Sequence, residues 1–91
     1  MDLHAHAHKP IVLVVDDTPD NLQFMGGILQ NDFKVKVANS GERALRLVSG
    51  EQQPDIILLD VTMPGLDGYQ VCERLKADPA TAAIPIVFMT A

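Results

Sequence analysis

A chain of 91 residues has length for one small domain with a thin core and is too short for two. Twelve acidic against seven basic residues leave a net charge of −5, which argues against a basic face for nucleic acid. The longest aliphatic run, Ile11–Val15, falls far short of the ~20 apolar residues of a membrane span, and the single Cys72 excludes an internal disulfide, in keeping with a cytoplasmic protein.

Residues 1–9 place His4, His6 and His8 in strict alternation, so an extended segment would turn three imidazoles to one side, as a transition metal requires. No fourth ligand stands nearby, and a flexible, solvated tail over 1–9 is the preferred reading. Ile11–Val15 is a β-branched run without polar alternation, the pattern of a strand covered on both faces. Asp16 and Asp17 follow it. Thr18 and Pro19 then read as the N-cap and first residue of a helix, with Leu22, Met25, Ile28 and Leu29 at helical spacing to about Gln30. Gly26 and Gly27 inside that helix either weaken it or admit a neighbouring backbone. Phe33–Ala38 alternates like an edge strand with Lys34 and Lys36 outward. Asn39-Ser40-Gly41 opens a short helix through Glu42–Val48. Ile56–Leu59 is a second wholly apolar strand, ending at Asp60, and Pro64, Gly65 and Gly68 mark the loop Val61–Gly68. A helix over Tyr69–Ala77 carries Val71, Cys72 and Leu75 on one face, with Cys72 read as a buried, inert thiol, and Asp78-Pro79 stops it. Met25 and Met63 read as packing residues, and Tyr69 as packing at a helix start. Pro85–Met89 is a last apolar strand before Thr90 and Ala91.

Strands and helices alternating through short connections predict an α/β fold: a parallel sheet with helices on both faces. In such sheets chemistry collects beyond the carboxyl ends of the strands. Asp16, Asp17, Asp60 and Thr90 stand there. A single aspartate in such a place is more often a cap or a turn. Three of them behind apolar strands are harder to dismiss, because the ends of the first and third strands, if these are neighbours, lie about 5 Å apart and the carboxylates share one small space. Like charges that close are costly unless a cation neutralises them, and hard oxygen donors point to Mg²⁺, with Mn²⁺ as the alternative. A carboxylate beside such an ion can attack phosphorus, while a hydroxyl such as Thr90 and backbone N–H groups steady the equatorial oxygens. Asp16 and Asp17 look like a pair of metal ligands, which leaves Asp60 as the attacking group.

The stretch Val12-Leu13-Val14-Val15-Asp16-Asp17, the stretch Asp55–Gly68 with Asp60-Val61-Thr62-Met63-Pro64-Gly65 inside it, and the ending Ile84–Ala91 together resemble the receiver domain of bacterial two-component response regulators over residues 10–91. The resemblance implies a flavodoxin-like doubly wound sheet of order 2-1-3-4. It implies Asp60 as phosphoacceptor, Asp17 as a direct Mg²⁺ ligand, and Asp16 as a ligand acting largely through water. Thr62 would lend its backbone carbonyl to the metal and its side chain to the phosphoryl site. Thr90 would be the switch hydroxyl, with the Ala91 N–H beside it. The implied partners are a sensor histidine kinase or phosphotransfer protein as donor and an output domain as recipient; the chain is not read as an enzyme in its own right. The family's fifth strand, its lysine and its last two helices find no counterpart after Ala91, so the sequence reads as a partial receiver. Impaired phosphorylation and self-association through the last strand are expected. An aspartyl phosphohydrolase of the haloacid-dehalogenase type would need two aspartates separated by one residue, which Asp16-Asp17 does not supply. A receiver-like interaction module that is never phosphorylated is the remaining alternative.

Overall fold

The computed structural model describes residues 9–89. Four strands, β1 (Ile11–Val15), β2 (Lys34–Ala38), β3 (Ile56–Asp60) and β4 (Ile86–Met89), pair in parallel in the order β2-β1-β3-β4. Three helices, α1 (Pro19–Leu29), α2 (Gly41–Val48) and α3 (Gly68–Ala77), make the crossovers. The expected α/β fold and strand order are both present. Pleating sends Leu13, Val15, Ile57 and Leu59 to one face, where they meet Ala44 and Val48 of α2 and Val71 and Leu75 of α3. Val12 and Val14 point to the other face and are equally buried, and α1 packs against β1 and β2. Burial on both sides is why the β1 sequence lacks polar alternation. Beyond that helix the sheet is less covered. Register aligns Val14 with Leu58 and Leu58 with Val87, yet Val87 remains 48% exposed.

Local sequence sets the helix starts, though not always as expected. Thr18 holds the N-cap position of α1, but its hydroxyl makes no cap bond; its own N–H donates instead to Asp16 Oδ1 at 2.9 Å. Ser40 Oγ accepts from Arg43 N at 3.1 Å and caps α2. Asp67 and Gln70 form a reciprocal capping box, each side chain accepting the other's N–H at 2.9 Å, and this starts α3 at Gly68, one residue ahead of the expected Tyr69. Tyr69 packs as expected: its ring lies 5.1 Å from that of Phe88. Cys72 is half-buried against the core rather than enclosed. Met63 is buried among core residues. Lys34 is exposed as expected of an edge strand, whereas Lys36, on the same face but in mid-strand beside the buried Leu13, is half-buried.

No residue of α1 is fully buried, and among the described residues nothing lies within 4 Å of a Cβ placed on Gly26 or Gly27. The two glycines therefore weaken the helix without admitting a neighbour. Gly27→Ala is expected to stabilise the protein by about 0.5–1 kcal/mol. A urea midpoint that rises at unchanged slope would show it, and a midpoint that falls would mean an unseen close contact.

Candidate functional site

The first and third strands are neighbours, and pairing of Val15 with Leu59 sets Asp16 beside Asp60 at their carboxyl ends. Carboxylate oxygens of Asp16, Asp17 and Asp60 lie within 4.8 Å of one another, in the one small space expected from sequence. Their surroundings differ. Asp16 is buried, with Oδ1 accepting from Thr18 N at 2.9 Å and Oδ2 from Asn21 Nδ2 at 3.2 Å. Asp17 is exposed. Asp60 is half-buried and accepts the Thr62 N–H at 3.2 Å on Oδ1.

Burial pushes the Asp60 carboxyl above the ordinary carboxylate range; the Thr62 N–H pulls it back, and the Asp16 and Asp17 charges raise it further. The carboxylates open into a crevice of about 370 Å³, walled by Thr62 and by the apolar side chains of Phe24, Met25 and Met89. Among the described residues no lysine or arginine lines it. Three hard-oxygen donors without a basic partner form a site that fits a small divalent cation and disfavours zinc.

Asp16, Asp17, Asp60 and Thr62 thus meet in one place, as expected. Thr90 and Ala91, the expected hydroxyl and N–H of the phosphoryl site, lie outside the described residues, as do His4, His6 and His8. Met25, read as packing, also lines the crevice. Three contributors were not anticipated. Asn21 is one turn into α1, where its amide can reach back to Asp16. Phe24 is 67% exposed at the crevice mouth, and the signal for it was an aromatic off the apolar face of the helix that follows the acidic pair. Met89 reaches the crevice because β4 pairs with β3 to Asp60 itself.

Comparison with known proteins agrees with this geometry. Residues 12–91 match the family described as response regulator receiver domain. The chain is 46% identical over 81 residues to the response regulator PleD of Caulobacter vibrioides, covering 88% of this chain and 18% of that protein. It is 42% identical over 80 residues to a probable cyclic di-GMP phosphodiesterase of Vibrio cholerae, covering 87% of this chain and again 18% of the relative. The chain therefore spans less than one fifth of the length of these relatives. Among solved structures it is similar to the N-terminal domain of a response regulator receiver protein from Methanoculleus marisnigri, with TM-score 0.86 and 37% identity, covering 90% of this chain and 67% of that one.

Proposed function

The chain belongs to the response regulator receiver domain family, and from that premise we propose that it accepts a phosphoryl group on Asp60 in a Mg²⁺-dependent reaction. The observation that carries this reading is the convergence of Asp16, Asp17 and Asp60 within 4.8 Å, in a crevice with no basic side chain among the described residues. Such an arrangement is costly for a module that only pairs with other proteins, which is why the unphosphorylated alternative is not favoured.

Asp16, Asp17, Asp60 and the Thr62 carbonyl would hold the ion. When bound, Mg²⁺ supplies positive charge between the carboxylates and the phosphoryl oxygens. The chain's own residues do the rest. One Asp60 oxygen attacks phosphorus of a phosphohistidine donor, the P–N bond breaks, and its electron pair leaves on the imidazole nitrogen. An acyl phosphate remains on Asp60. The Thr62 N–H holds one Asp60 oxygen and so fixes the rotamer from which the other can attack. The Thr62 side chain at the rim, with Thr90 and Ala91, would contact the transferred group. Phe24, exposed at the mouth, would meet the donor, a sensor histidine kinase or phosphotransfer protein. The change would pass to an output domain of a longer parent protein, in the cytoplasm. Among the described residues no helix is long and apolar enough to cross a membrane.

Both oxygens of Asp16 already accept hydrogen bonds, whereas Asp17 is exposed, so Asp17 is proposed as the direct ligand and Asp16 as one acting through water. Asp16→Ala should weaken Mg²⁺ binding about tenfold, and Asp17→Ala more, by isothermal titration. Equal losses would erase that distinction, and a larger loss from Asp16→Ala would reverse it. Incubation with acetyl phosphate tests the function: a hydroxylamine-labile phosphoryl group should form with Mg²⁺ and not with EDTA. Labelling that ignores EDTA, or no labelling at saturating Mg²⁺, would overturn it.

A further inference from the structure

Among the described residues β2 is the outermost strand on its side of the sheet. Lys34 N donates to Pro10 O, and Ala38 O accepts from Asp16 N, so these residues turn their peptide groups toward β1. Peptide groups alternate along a strand, so Val35 and Val37 turn theirs to the open edge. Lys34, Lys36, Arg43 and Arg46 are four of the seven lysines and arginines of a chain whose net charge is −5, and they stand on β2 and on α2, the helix that follows it. Arg43 and Arg46 line a groove of about 380 Å³ with Val37 and Leu47, whose side chains are 48% and 40% exposed.

The charges there meet neutral acceptors. Arg43 Nη1 reaches Asn39 Oδ1 at 3.5 Å, and Lys34 and Lys36 reach oxygens of Gln52 at 3.3 and 3.4 Å. Glu42, the acidic residue of α2, turns instead toward the loop after β3, with Oε2 3.1 Å from where a Gly65 Cβ would stand. An open edge, an apolar floor and positive charge thus coincide on an otherwise acidic molecule.

We propose that the β2–α2 edge docks an extended acidic segment of a partner protein, which adds as a strand beside β2. Its peptide groups would pair with those of Val35 and Val37. An apolar side chain would cover Val37 and Leu47, and carboxylates would face the lysines and arginines. A second copy of this chain fits poorly, because antiparallel or parallel pairing would set lysine against lysine. Nucleic acid fits less well than a strand, given the apolar floor and the overall negative charge.

The probe is a short peptide alternating glutamate and valine, titrated into the ¹⁵N-labelled protein, with a lysine–valine peptide as control. The acidic peptide should slow amide exchange at Val35 and Val37 about tenfold and shift resonances of Arg43, Arg46 and Leu47. The exposed double variant Arg43→Glu/Arg46→Glu should bind it at least about tenfold more weakly while keeping the far-UV circular dichroism of the parent. Val37→Pro, which removes an edge donor, should also weaken it. Equal binding of the basic peptide, absence of binding, or protection confined to other strands would overturn the proposal. So would a single-stranded oligonucleotide that binds the same arginines more tightly than the acidic peptide, since that marks a general polyanion site.

Discussion

Asp60→Asn is expected to reduce phosphoryl incorporation from acetyl phosphate to background, because the amide has no anionic oxygen to attack phosphorus. The same substitution should stabilise the metal-free protein. The Asp60 carboxyl is raised in the folded state, first by burial and then by Asp16 and Asp17, so its ionised form opposes folding. That penalty is complete above the folded-state pKa and disappears as pH falls through it toward the ordinary value of 3.8. In EDTA at neutral pH the asparagine variant should therefore melt above the parent, and the difference should close on acidification. Adding Mg²⁺ should raise the melting temperature of the parent more than that of the variant. A variant that melts below the parent in EDTA at neutral pH would mean the carboxylate cluster is not strained by its own charge.

The second large effect is expected at Gly68. Its N–H donates to Val61 O at 2.9 Å, which draws the first turn of α3 against the end of β3. A Cβ on Gly68 would collide with the carbonyl oxygen of Asp60 and stand 2.8 Å from Val61 Cα. Every clashing atom is backbone, so no side-chain rotation relieves it. Gly68→Ala should cost about 3 kcal/mol and move the peptide that carries Asp60, lowering phosphoryl acceptance along with stability. Tyr69→Ala is the matched control one residue on. It removes the tilted ring contact with Phe88, a loss of about 1 kcal/mol at an exposed position, and leaves the Asp60 peptide in place. Urea melts would separate the two. A Gly68→Ala variant as stable and as readily labelled as the parent would show that α3 does not position the phosphoacceptor.

The strands were readable because β1 is buried on both faces and β3 is buried on one and half-buried on the other, and aliphatic residues suit such positions. The acidic cluster was legible because parallel strands end on the same side and the family resemblance implied β1 and β3 as neighbours, which sets the aspartates behind Val15 and Leu59 together. What sequence did not reveal depends on competition and on coverage. Thr18 has the residue type and the position of an N-cap, yet its hydroxyl makes no cap bond and only its N–H is engaged, on Asp16 Oδ1. Phe24 escaped because helical periodicity assigns one apolar face, while even the inner residues of α1 here are only half-buried. Lys34 and Lys36 could be read as guards of an edge strand. That Arg43 and Arg46 share a groove with Val37 of the same strand needed the crossover that lays α2 beside β2.

The phosphorylated residue can be located by treating the acetyl-phosphate-labelled protein with borohydride, which reduces an aspartyl phosphate to homoserine. Peptide mass spectrometry should then find homoserine at position 60 and aspartate intact at 16 and 17. Homoserine at position 16 or 17, with Asp60 unmodified, would contradict the assignment of the phosphoacceptor.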